Sequence, residues 1–176
     1  HLTLWTPAVH NDTVFTYVGG IARGNNLYTG ELLWRHDLKP YMEKSSFEEK
    51  APELGFAPIL DTLNRIIYCA WNGDLVAIDM DTQEFMWQVG GWFVDVVGIQ
   101  PCIYEDKLFA IDTGNVSAFD GFTGEQLWTI DQPTRFKFQY PPVAANGYLF
   151  ASTIRETAVI DIEAGEIVRL FDKGGY

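Results

Sequence analysis

One spacing constrains this chain more than any other feature. The segment 115–128, NVSAFDGFTGEQLW, recurs as DLVAIDMDTQEFMW at 74–87 and as ETAVIDIEAGEIVR at 156–169, with a shorter echo, TGELLW, at 29–34. Each copy reads as two short strands joined by a turn. Val116, Ala118 and Leu127 fall in runs of strand length, and Asp120-Gly121 and Thr123-Gly124 are turn pairs. Trp87, Trp128 and Arg169 stand 41 residues apart, whereas Trp34 precedes Trp87 by 53. The charged stretch 39–57, KPYMEKSSFEEKAPELGFA, can supply the extra 12 residues of the first interval.

Four units follow, opened by Pro7, Pro58, Pro101 and Pro142 and closed by Trp34, Trp87, Trp128 and Arg169. Their spans are about 7–38, 58–90, 101–131 and 142–173, within a single domain over 1–176. Each unit holds about four strand-like runs, such as TVFTYV at 13–18 and RIIYCAW at 65–71, and Asn72-Gly73 is a two-residue hairpin signal. A period near 40 residues with four strands per unit is the signature of propeller blades. One four-stranded sheet cannot bury both its faces, so stacking the units makes a shared core. The acids Asp79, Asp120 and Asp161, with Asn26 in the first unit, precede a Thr/Ala-Gly turn. Their side-chain oxygens can accept bonds from N–H groups of that turn, whose glycines are Gly30, Gly124 and Gly165. Trp34, Trp87 and Trp128 are expected to pack between adjacent blades, where aromatic burial dominates the energetics.

The pattern Ala118-x-Asp120-x-x-Thr123-Gly124-Glu125-x-x-Trp128 resembles the PQQ-like repeat, the tryptophan-docking blade of quinoprotein-type propellers. Residues 72–79, NGDLVAID, are similar to that family's strand–turn–strand segment, and the resemblance runs from Pro7 to Phe171. It implies an all-β fold of propeller blades, each of four antiparallel strands. The first unit departs from the pattern with Gly24 and Asn26, the second with Gln83 in place of Gly, and the fourth with Arg169 in place of Trp. Family rings have seven or eight blades and this chain supplies about four. It is expected to be a fragment of a larger propeller, half of an eight-bladed ring completed by a second chain, or an open arc or small ring. The resemblance implies an extracytoplasmic, non-catalytic scaffold that binds a protein partner or a second propeller half, with no cofactor. The alternative is part of a quinoprotein alcohol or sugar dehydrogenase using pyrroloquinoline quinone (PQQ) and calcium. In that reading Trp71 or Trp92 is the stacking floor and Asp95 lies near the metal, although the adjacent cysteine pair of those enzymes is missing here.

Composition excludes other classes. The 176 residues are 47% hydrophobic, which suits a packed core, and no apolar run reaches the roughly 18 residues of a membrane span. A net charge of −12 repels nucleic acid and anionic membrane surfaces. Cys69 and Cys102 have no metal-ligand spacing and are expected as buried free thiols. His1, His10 and His36 have no copper-binding spacing and read as surface histidines. No nucleophile elbow, zinc-protease helix or phosphate loop is present. Asn11 and Asn115 open N-glycosylation patterns, relevant to a chain secreted by a eukaryote. His1 in place of Met marks a processed chain or one cut from a longer protein. Within 39–57 a short helix is expected over 42–50, capped by Ser45 or Ser46. That insertion and the Trp92-Phe93 link are the expected partner-binding elements.

Overall fold

Runs of β-branched and aromatic residues, broken by Asn, Asp and Gly, set the strand pattern of the computed structural model. It describes residues 7–18, 20–38, 40, 57–71, 74–90, 99–111, 114–131 and 140–172. Sixteen strands lie among them, and no α-helix. The first sheet holds β1 (Ala8–His10), β2 (Thr13–Val18), β3 (Ile21–Asn26) and β4 (Leu32–Asp37). The second holds β5 (Ile59–Asp61), β6 (Ile66–Trp71), β7 (Asp74–Asp79) and β8 (Phe85–Val89). The third holds β9 (Cys102–Tyr104), β10 (Lys107–Ile111), β11 (Asn115–Asp120) and β12 (Gln126–Asp131). The fourth holds β13 (Val143–Ala145), β14 (Tyr148–Ser152), β15 (Glu156–Asp161) and β16 (Glu166–Asp172). Within each sheet the strands pair antiparallel with their sequence neighbours, so the four sheets are four blades.

The blades group into two compact units, His1–Val94 with the first two and Asp95–Tyr176 with the last two. In the first unit, Phe15, Tyr17 and Ala22 of blade one share an apolar cluster with Ile67, Val76 and Ile78 of blade two. In the second, Phe109, Ile111 and Val116 of blade three share one with Leu149, Ala158 and Ile160 of blade four. Burying such a side chain fully is worth roughly 1.5–3 kcal/mol. The first strands of each unit also meet, β1 with β5 and β9 with β13.

Every blade repeats one irregularity. The register slips between its third and fourth strands, at Gly24/Asn25, Ala77/Ile78, Ala118/Phe119 and Val159/Ile160. The extra residue is Leu33, Met86, Leu127 or Val168, immediately before the closing position. A bulge of this kind bends the outer strand and re-aims the next side chain. That side chain is Trp34, Trp87, Trp128 or Arg169, opposite Gly24, Ala77, Ala118 or Val159 respectively.

Strand edges differ slightly from the sequence expectation. Arg65 is not in a strand but holds a left-handed turn at φ 62°, so β6 begins one residue later. His10 ends β1, and Asn11, at φ 49°, turns the chain instead. Of the insertion expected over 39–57, residues 39 and 41–56 lie outside the described residues, with the helix expected over 42–50, and so do the Asn72-Gly73 turn, the Trp92-Phe93 link, Asp95 and His1.

Candidate functional site

The recurrent turn is built from its acid upward. Asp120 Oδ1 accepts N–H bonds from Phe122 at 3.0 Å and Thr123 at 2.8 Å, and the Thr123 hydroxyl at 2.9 Å. Asp79 does the same for Asp81 and Thr82 at 2.9 and 2.7 Å, and Asp161 for Glu163 and Ala164, both at 3.0 Å. Asn26 accepts from Tyr28 and Thr29 at 2.9 Å in both cases, so its amide oxygen performs the carboxylate's task. The N–H of Thr82, then that of Asp81, holds the Asp79 carboxyl below its usual range. The turn closes on a left-handed residue: Gly30, Gly124 and Gly165 at φ 74°, 74° and 64°, and Gln83 at φ 63° where glycine was expected.

Each tryptophan rests on an aromatic of the second strand of its own blade. Centroid separations are 6.0 Å for Phe15–Trp34 and 5.9 Å for both Tyr68–Trp87 and Phe109–Trp128. Trp128 is also bonded to the next blade of its unit, its Nε1 donating to the Ile162 carbonyl at 2.8 Å. Gly165 of that blade lies under the ring, and a Cβ there would come 2.6 Å from Trp128 Cγ. Trp34 packs against the first unit's cluster, and Trp87 is buried. A Cβ on Gly24 would lie 2.2 Å from Trp34 Nε1, so the glycine there makes room for the ring. In blade four the Arg169 guanidinium lies 5.6 Å from the centre of the Phe171 ring.

Polar contacts link neighbouring blades at their turns. Arg65 donates from Nη1 to His10 Nε2 at 3.2 Å and grips Asp81 with Nε and Nη2. Asp81 raises the Arg65 pKa, and Arg65 holds the Asp81 carboxyl below its usual range. Lys107 reaches Asp106 at 3.0 Å and Glu163 at 3.1 Å, which raises the ammonium and lowers the Asp106 carboxyl. The Tyr104 hydroxyl accepts the Gly147 N–H at 3.2 Å. Ion pairs at the surface are screened by solvent, so these contacts set the geometry of the turns more than they add stability.

Both thiols are free. Burial pushes Cys69 far up and Cys102 to about 12. Tyr17 is raised by burial and by the nearby Cys69 and Asp74. Asn11 is exposed in its turn, whereas Asn115 is half-buried and paired in β11 opposite Asp131. Trp71 ends β6, and His36 lies half-buried in β4. Among the described residues no three His, Cys, Asp or Glu side chains converge as metal ligands. No helix among them is long and apolar enough to cross a membrane.

Four-stranded blades that repeat one capped turn, with Trp128 seated over the left-handed Gly165 of the next blade, define a PQQ-like propeller protein. The family described as "Outer membrane protein assembly factor BamB" matches residues 17–168, and the chain belongs to that family. It is 23% identical over 134 residues to an outer membrane protein assembly factor BamB of Kangiella koreensis, covering 73% of this chain and 33% of that protein. Among solved structures it resembles BamB from Moraxella catarrhalis, with a TM-score of 0.73 and 19% identity over 97% of this chain and 50% of that one. It also resembles a quinohemoprotein alcohol dehydrogenase, ADHIIG, from Pseudomonas putida HK5, with a TM-score of 0.71 and 13% identity over 95% of this chain and 33% of that one. At such identities the structural likenesses show the fold. The chain spans between a third and half of the length of these relatives.

Proposed function

We propose that this chain is a non-catalytic scaffold of outer membrane protein assembly that works outside the cytoplasm by binding a protein partner. The observation that carries this reading is the family match across 17–168. The local chemistry supports it. Three recurrent acids and Trp128 are engaged in turns and between blades, which leaves the loops as the recognition surface. Two loops carry large apolar side chains in the open, Tyr28 in the β3–β4 turn at 78% exposure and Leu63 in the β5–β6 turn at 83%. Tyr28 is of the aromatic type enriched in protein interfaces, and with Leu63 it gives the reading two positions to test.

The test is capture of outer-membrane assembly proteins from a detergent-solubilised bacterial envelope by the immobilised chain. Retention of such a protein, weakened in Tyr28→Ala and Leu63→Glu while the far-UV spectrum is unchanged, is expected. Capture of none, or equal capture by both variants, would sink the reading. The scaffold reading needs no cofactor. Addition of PQQ, calcium and a dye acceptor to the purified chain is expected to give no alcohol or sugar oxidation, and turnover would favour the dehydrogenase alternative.

A further inference from the structure

One hairpin loop carries a reactive sequence that its counterparts lack. The first two strands of blade four, β13 and β14, pair Ala145 with Tyr148, which leaves Asn146-Gly147 as a two-residue loop. Both residues are left-handed, Asn146 at φ 53° and Gly147 at φ 78°, the conformation that Asn-Gly loops favour in hairpins. At this position blade one has Asn11-Asp12, blade three has Glu105-Asp106, and blade two has the longer run 62–65. Of these four loops, only that of blade four has a glycine following an asparagine. Glycine brings no Cβ to shield its backbone nitrogen. Asn146 is exposed, and among the described residues no hydrogen bond holds its carboxamide. The carboxamide of Asn11, by contrast, bonds His10 Nε2 at 3.1 Å.

The backbone of the loop is tied into the joint between blades three and four. The Gly147 N–H donates to the Tyr104 hydroxyl of blade three at 3.2 Å. The Gly147 carbonyl accepts the Ile162 N–H at 3.0 Å. The Ile162 carbonyl in turn accepts from Trp128 Nε1 at 2.8 Å. A chain of bonds therefore runs from the Asn146-Gly147 loop to the seat of the tryptophan.

We infer that Asn146-Gly147 is a deamidation site, held in check by the Tyr104 contact and released when the joint between blades three and four loosens. The Gly147 nitrogen attacks Asn146 Cγ and forms a new C–N bond. The Cγ–Nδ2 bond breaks, and ammonia leaves with the proton that the Gly147 amide gives up. Water then opens the five-membered imide at either of its carbonyls. One opening gives an aspartate at position 146. The other gives an isoaspartate, whose main chain runs through the former side-chain carbons. Attack requires the Gly147 nitrogen to lose its proton and the Asn146 side chain to swing over it. In the closed joint that proton is engaged by Tyr104, and pairing on both sides holds the loop. Either product adds a negative charge to a chain already at −12. Isoaspartate also lengthens a loop whose two residues fix the pairing of Ala145 with Tyr148, so it strains the bond chain that ends at Trp128. The inference is independent of the scaffold reading, and its test needs no partner protein.

Peptide mapping of the folded chain, incubated in mildly alkaline buffer, reads loss of the amide at 146 and separates it from the Asn72-Gly73 sequence. The wild type is expected to convert at 146 more slowly when folded than in denaturant. Tyr104→Phe removes only the hydroxyl. It is expected to convert roughly fivefold faster than the folded wild type, the factor by which one ordinary hydrogen bond shifts an opening equilibrium. Trp128→Phe cuts the same chain of bonds at its far end and is expected to speed conversion as well. A folded wild type that converts as fast as the denatured chain would overturn the inference. So would either variant, folded by circular dichroism, converting no faster than the wild type.

Discussion

At the scale of single residues, the Trp128 contact has separable parts. Trp128→Phe keeps an aromatic ring but removes the donor to the Ile162 carbonyl. It is expected to cost about 1–2 kcal/mol, read as a lower urea midpoint. Gly165→Ala adds a clash with that ring to the strain of a left-handed backbone, whereas Gly30→Ala adds only the strain. In dilute solution Gly30→Ala is expected to cost about 1 kcal/mol and Gly165→Ala roughly 1–3 kcal/mol more. Equal losses would mean that the Trp128 ring does not rest on residue 165. Cys69 is buried with its thiol held neutral, so a thiol reagent at pH 8 is expected to label it only after denaturant is added. Part of this was legible in the sequence. The tryptophans and turn acids show themselves by spacing. The ring beneath each tryptophan does not, because Phe15, Tyr68 and Phe109 are ordinary aromatics in strand-like runs until pairing places them opposite Gly24, Ala77 and Ala118. Gly24 reads as a departure in the sequence, yet it lies opposite Trp34 and leaves space for its ring.

At the scale of elements, the turn between third and fourth strands is the unit that repeats most faithfully. Its acid accepts two backbone N–H bonds in blades two, three and four, and Asn26 accepts the same two in blade one without a charge. Hydrogen-bond geometry therefore outweighs charge here. Asp120→Asn is expected to be nearly neutral and Asp120→Ala to cost about 1 kcal/mol, by analogy with helix caps that satisfy N–H groups in the same way. Equal losses in thermal melts of the two variants would mean that charge dominates. Alternation and turn residues located most strands within one residue, as with β2 over Thr13–Val18 and β10 over Lys107–Ile111. The bulge at Leu33, Met86, Leu127 and Val168 was not legible, because an extra residue alters pairing without altering composition.

At the scale of the whole molecule, the repeat made the blades legible and left the function obscure for one physical reason. The residues that recur are those that every blade needs to fold, so recurrence selects for turns and packing. Groups that differ between equivalent positions, such as Thr16, Arg23, Ser152 and Arg169, carry what is particular to this chain, and register is needed to align them. Charge adds a last expectation. The net charge of −12 makes the folded state repel itself, and protonating free carboxylates below pH 7 relieves that repulsion. Acting against this are Asp79, Asp81 and Asp106, held below their usual range by turn N–H groups, Arg65 and Lys107 respectively. Their folded-state pKa lies under the unfolded value. The stability they contribute is therefore present above the unfolded pKa and is lost as pH falls through the folded one. Melting temperature is expected to hold or rise slightly from pH 7 to about pH 5 and to fall below about pH 4. Asp79→Asn keeps the turn oxygen but has no proton to take up there, so its acid limb should be shallower. An unchanged limb in that variant would place the acid sensitivity in other carboxylates.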